Sequence, residues 1–218
     1  MKQITTLFAG VIFSFVLIAQ QTTSVTAGIG CGDISIGMTE IQVKAILGDS
    51  MEEKTFKEEM TAFWHHNRTV AIDSITQFVL GFDKCLVLDD DLNRKWPIFK
   101  IFLLKGKVNC MIVTSYLPDN TLAEKVLINE NIRFEDDAEK CKKYFGDQFI
   151  KTPYPGYDEY LYYNKGIHLL FKEGVLKTFK LFKANPGFPA LIAARAKLLK
   201  TQFLAIDKEK GGGFNWPD

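Results

Sequence analysis

The segment Ile34-Ser35-Ile36-Gly37-Met38-Thr39, followed by Val43-Lys44-Ala45-Ile46-Leu47-Gly48-Asp49, returns in diverged form 98 residues later. Ile34-Ser35-Ile36 falls on Ile132-Arg133-Phe134, and the second block falls on Cys141-Lys142-Lys143-Tyr144-Phe145-Gly146-Asp147. Val43, Ile46 and Leu47 meet Cys141, Tyr144 and Phe145, so the apolar spacing is kept. Such self-similarity sets the number of structural units before any motif is considered. Thr39 with Gln42 three residues on forms a capping-box signature, and Gly48 stands where a left-handed C-cap is wanted, which predicts a helix over Glu40 to Leu47. In the second copy Asp136 or Asp137 is the N-cap, Glu139 to Phe145 the helix and Gly146 the stop. Cys141 takes the place of Val43 and is read as a core residue.

After each helix the period changes from helical to extended. In the second copy Tyr160 to Tyr163, Ile167 to Phe171 and Val175 to Phe182 are β-rich runs separated by Asn164-Lys165-Gly166 and Glu173-Gly174, an antiparallel meander. The first copy has a longer version: Ala62 to His66, Thr69 to Ile72, Phe78 to Phe82, then Ile98 to Leu104 joined by Lys105-Gly106-Lys107 to Val108 to Tyr116. Its insertion, 73–95, carries Cys85 and the run Asp89-Asp90-Asp91. A helix followed by a meander buries its apolar stripe on one face of that sheet. The expected fold class is therefore α+β, with two tandem helix-plus-antiparallel-sheet units, 31–117 and 131–184, each a two-layer sandwich. A C-terminal amphipathic helix, 188–206, follows, with Ile192, Ala196, Leu199, Phe203 and Ile206 on one stripe.

The string Ile34-Ser35-Ile36-Gly37-Met38-Thr39, then Val43, then Leu47-Gly48, resembles the opening of the small exported domains typified by the outer-membrane assembly lipoprotein BamE, the SmpA/OmlA group. Two such units in tandem also resemble the β-lactamase inhibitory protein fold. The resemblance implies a helix layer on an antiparallel sheet, export, and binding of another protein rather than catalysis. Ser50 and Gln148 stand where the group usually has Pro.

Residues 1–27 read as a signal peptide: Lys2 precedes the apolar run Leu7 to Ala19, and Val25-Thr26-Ala27 suits cleavage after Ala27. The apolar run falls short of the roughly 20 residues needed to span hydrocarbon. The expected location is periplasmic or secreted. A second reading makes Cys31, after Gly28-Ile29-Gly30, an acylated residue. With 27 basic and 26 acidic side chains the chain has no field to steer it to nucleic acid. In an oxidising compartment four cysteines allow three disulfide connectivities; Cys85 with Cys110 is the expected pair, because both lie in β-rich sequence of the first unit.

No catalytic signature, cofactor motif or metal-ligand spacing is found. His65 and His66 are adjacent and point to opposite faces if the segment is a strand. Asp89-Asp90-Asp91 lacks the spaced oxygen cage of a calcium loop. The strongest candidate site is aromatic: Tyr154, Tyr157, Tyr160, Tyr162 and Tyr163 crowd before the Asn164-Lys165-Gly166 turn. If Leu161 faces the helix, Tyr160 and Tyr162 stand on the open face of the sheet, where tyrosines are enriched at interfaces. Phe63, Trp64 and Trp96 would supply the corresponding aromatics of the first unit. Arg195, Lys197 and Lys200, with no acid between Ala184 and Ile206, leave two roles for the C-terminal helix, docking on the domain or lying on an anionic membrane. The expectation is an exported, non-catalytic protein-binding module, an inhibitor or an envelope assembly factor whose partner is another exported or envelope protein. The alternative is an exported hydrolase with a Ser or Cys nucleophile, such as Cys31, Cys85 or Cys110 with His168.

Overall fold

Three short strands, β1 (Thr23–Thr26), β2 (Gly30–Cys31) and β3 (Ile34–Ser35), lead into α1 (Glu40–Leu47) and β4 (Glu52–Thr55). Then come α2 (Phe56–His66), a 3₁₀ turn (Ile72–Ile75), α3 (Thr76–Leu80), β5 (Lys84–Leu88), β6 (Ile98–Leu104) and β7 (Lys107–Thr114). The second half runs β8 (Val126–Ile128), α4 (Ala138–Phe145), β9 (Ile150–Tyr154), β10 (Tyr157–Tyr162), β11 (Ile167–Lys172), β12 (Val175–Phe182) and α5 (Phe188–Glu209). The structure, a computed structural model, describes residues 22–49, 51–66, 71–88, 98–115, 125–154 and 156–213; for residues 65, 66, 73, 98, 153 and 154 it describes the backbone alone.

The fold is α+β, with antiparallel-rich sheets, a helix ahead of each meander and a C-terminal helix. The repeat is visible bond by bond. In the first unit Gly37 N–H donates to Val108 O, Val108 N–H to Met38 O and Glu40 N–H to Gly106 O. In the second, Glu135 N–H donates to Leu176 O, Leu176 N–H to Asp136 O and Ala138 N–H to Gly174 O. Each helix is thus tied at its N-terminus to the hairpin turn of its own meander. The caps agree: Thr39 and Gln42 make the capping box, and Asp137 accepts from Lys140 N–H. The two meanders meet through antiparallel pairing of β7 with β12, from Thr114 opposite Thr178 to Cys110 opposite Phe182. One eight-stranded sheet results, in the order β4-β5-β6-β7-β12-β11-β10-β9.

Between β4 and β5 the structure differs from the sequence expectation. Ala62 to His66 and Phe78 to Leu80 are helical, not extended, and Thr69 and Val70 lie outside the described residues. The reason is local: Thr55 and Glu58 form a reciprocal capping box, with Glu58 Oε2 accepting Thr55 N–H at 2.7 Å and Thr55 Oγ1 accepting Glu58 N–H at 3.3 Å. Phe56, Met60, Phe63 and Trp64 then recur at helical spacing. The segment that the second unit lacks is therefore α2 to α3, rather than 73–95, which contains β5.

Both faces of the large sheet are covered. On one face α1, α4 and the small sheet β3-β2-β1-β8 enclose an apolar core that includes Val43, Cys141, Phe145, Tyr160, Tyr162 and Phe179. On the other, α2, α3 and α5 bury Trp64, Phe78, Phe102, Leu161, Phe182 and Phe203. The predicted stripe of the C-terminal helix is in place, since Leu199, Phe203 and Ile206 are buried; α5 docks on the domain and continues to Glu209. No helix among the described residues is long and apolar enough to cross a membrane.

The packing bears on the expected cleavage site and corrects the expected disulfide. Cleavage after Ala27 would remove β1, yet Val25 is fully buried, β1 pairs with both β2 and β8, and Ala27 N–H donates to Asn129 Oδ1 at 2.9 Å. The cysteines are free. Cys85 pairs across with Phe102, and Phe102 with Cys110, so a whole strand stands between the two thiols. Two strand spacings amount to about 10 Å, beyond the roughly 7 Å limit for a bridge.

Candidate functional site

The exposed surfaces of α1 and α4 supply an internal comparison. Both helices bury the residue at the Val43 and Cys141 position and cap with Gly48 and Gly146. Their outer faces differ. Ile41 is 82% exposed and Ile46 43%, with Ala45 exposed between them. The equivalent residues of α4 are Glu139, Tyr144 and Lys143, all exposed. The frame therefore does not require apolar residues there. Around the α1 patch runs an ion-pair network: Lys44 meets Glu40 at 2.9 Å and Glu53 at 2.6 Å, and Lys84 meets Glu40 at 2.8 Å and Glu53 at 3.0 Å. Lys84 first, then Lys44, holds the Glu40 carboxyl below its ordinary value. An apolar centre with a charged rim is the anatomy of a protein contact.

The second candidate is a buried polar layer between the sheet and the α2–α3 segment. Cross-strand pairing puts Thr152 opposite Glu159, Leu161 opposite His168, His168 opposite Lys180, and Thr178 opposite Thr114, on the face that carries Leu161. All six polar residues are buried, and Glu59, Ser74, Thr76 and Gln77 meet this face from the covering segment. Thr76 Oγ1 lies 2.8 Å from His168 Nδ1, and His168 Nε2 lies 3.3 Å from Glu159 Oε2. Lys180 donates to Ser74 O and, at 3.2 Å, to Gln77 Oε1. Lys100 pairs with Glu59. A hydroxyl, an imidazole and a carboxylate in series are the parts of an acid–base relay, but Thr76 and His168 are both 0% exposed. The contacts of Thr76 with His168, of Ser74 and Gln77 with Lys180 and of Glu59 with Lys100 tie the covering segment to the sheet.

No family model, curated protein or solved structure matches this chain. The site is therefore judged on geometry.

The expected aromatic face is not open. Tyr160 and Tyr162 are buried, Tyr162 completely, because they face the α4 side of the sheet while Leu161 faces α2 and α5. Tyr160 stacks on Phe149 at 4.4 Å, and Tyr162 lies 5.2 Å from both Phe145 and Phe149. Burial pushes the Tyr162 hydroxyl up in pKa. Tyr157 is half-buried, and Tyr154 is placed in β9 by its backbone alone. Trp64 is a core residue of α2 whose indole N–H donates to Asp207 Oδ1 at 3.0 Å; Phe63 packs edge-on against Phe78. Trp96 and Asp89-Asp90-Asp91 lie outside the described residues.

The cysteines fare no better as nucleophiles. Burial pushes the thiols of Cys31, Cys110 and Cys141 up to about 12 and that of Cys85 up as well, so all four are held in the protonated, poorly nucleophilic form. Cys31 sits in β2 inside the core, opposite Val25 of β1. His168 meets the Thr76 hydroxyl. Among the described residues no group of three His, Cys, Asp or Glu could hold a metal ion. The α1 patch escaped the sequence reading although its signal was there: at two matched positions of the two helices, Ile41 against Glu139 and Ala45 against Lys143, one copy is apolar where the other is charged.

Proposed function

We propose that this chain is an exported, non-catalytic protein-binding module, periplasmic or secreted, that contacts another exported or envelope protein through the outer face of α1. The observation that carries this reading is the 82% exposure of Ile41 on a frame whose second copy has a charged residue at the same place. The resemblance to tandem BamE-type domains and to β-lactamase inhibitory protein supports a role as inhibitor or envelope assembly factor. The protonated thiols and the buried Thr76–His168–Glu159 series support binding over hydrolysis. The test exchanges the α1 face for that of α4 on either side of the cross-linker, Ile41→Glu with Ile46→Tyr, which the frame accommodates in its own second copy. A partner captured from the exported fraction by photo-crosslinking at position 45 should be lost with the exchanged face. It should be kept when Glu139 and Lys143 are both changed to Ala. Retention with the exchanged face would refute the proposed surface.

A further inference from the structure

A groove of about 310 Å³ lies where α5 crosses the end of α3 and the β6–β7 hairpin. Phe56, Phe78, Phe82, Leu104 and Leu198 supply apolar walls, and Arg195 enters from α5. Leu104 and Leu198 are both exposed, at 36% and 58%, so one side of the groove is open to solvent. Its volume is at the small end of ligand sites, which are lined mainly by apolar and aromatic groups with few polar ones.

The placement of Arg195 gives the groove a chemical preference. Gly81 has no side chain, and a Cβ built there would lie 2.4 Å from Arg195 Nη1, so the guanidinium rests directly against the Gly81 backbone. The last carbonyls of α3 do not need it, because Asn109 Nδ2 donates to Gly81 O at 2.8 Å and to Leu80 O at 3.4 Å. Among the described residues Arg195 has neither a hydrogen bond nor an ion pair. Asp83, two residues beyond Gly81, accepts Lys105 N–H at 2.8 Å. A guanidinium presents five donors in a planar fork that matches a carboxylate. Beside apolar walls, it interacts with that anion more strongly than it would in open water.

We propose that this groove binds a small apolar monocarboxylate, with the carboxylate on Arg195 and the hydrocarbon tail along Phe56, Phe82 and Leu198. This site is independent of the α1 surface. The test is calorimetric titration of the full folded chain with octanoate and, as the uncharged counterpart, octan-1-ol. Saturable octanoate binding is expected, at least tenfold weaker for octan-1-ol and at least tenfold weaker in Arg195→Gln. Lys197→Gln removes a charge from the exposed side of the same helix and should leave octanoate binding unchanged. Absence of saturable binding to the parent chain, equal affinity in Arg195→Gln, or equal weakening by Lys197→Gln would each overturn the proposal.

Discussion

In the first unit the residue after Ile36 is Gly37, with φ +88; in the second the matching residue is Glu135, with φ +68. Both donate their N–H to the hairpin opposite, and both precede a capped helix of eight residues. The units therefore keep one backbone frame and differ in the side chains mounted on it. Three differences follow that frame. Ile41 and Ala45 of α1 stand where α4 has Glu139 and Lys143; among the described residues only the first unit has helices between its first two strands; and Glu135, where the first unit has Gly37, bonds Lys177. What this teaches is that residues free to differ between copies mark where the frame makes no demand. A similar contrast separates the two faces of the sheet. The face under α1 and α4 is apolar, and the face under α2 and α3 carries the polar layer.

The largest expected effect breaks the contrast between faces. His168→Ala leaves Thr76 Oγ1 without its imidazole partner and Glu159 without its polar neighbour inside the core, which should cost about 1–3 kcal/mol in urea unfolding. The double replacement His168→Leu with Glu159→Leu should cost less than the sum of the two single ones, because neither polar group is then left facing an apolar side chain. Full additivity would mean that the two side chains are not coupled.

A smaller effect sharpens the contrast between units. Gly37→Ala should destabilise by about 1 kcal/mol, since a side chain is strained at positive φ, whereas Glu135→Gly should be close to neutral, relief of the same strain offsetting the lost Lys177 pair. Equal losses in both, read from thermal midpoints, would show that the copies do not share this constraint.

The smallest concerns pH. Hydrogen bonds from Lys84 and Lys44 lower the Glu40 pKa, and those from Lys44 and Lys84 lower that of Glu53, from the ordinary value of 4.5. A carboxyl with a depressed folded-state pKa stabilises the fold above its unfolded value and loses that contribution as pH falls through the folded one. Below about pH 4.5, then, amide exchange should quicken at α1 and β4. The matching residues of the second unit are Ala138 and Lys151, which carry no carboxyl, so α4 and β9 should change less. The effect should shrink with added salt, because these charges are solvent-facing. Uniform loosening of both units would detach it from this network.

Much of the frame was legible from residues alone. The 98-residue offset, both N-caps, both glycine stops and the meander of the second unit appear in the structure because each depends on contacts within a few residues. The capping box at Thr55 and Glu58 was equally local and went unread, which turned α2 into an expected strand. The candidate sites were less legible. Alternation correctly opposed Leu161 to Tyr160 and Tyr162, but it carries no label for which side meets α4.

The sequence by itself determined where helices and turns start and stop and that the chain repeats, because caps, glycine turns and periodicity act through neighbours in the chain. The tertiary structure alone decided that β7 pairs with β12, that α2, α3 and α5 cover the second face, and that Phe102 stands between Cys85 and Cys110. Those outcomes depend on which surfaces, distant in sequence, exclude water from each other. Burial is non-directional, so the apolar pattern that drives it does not specify the partner that provides it.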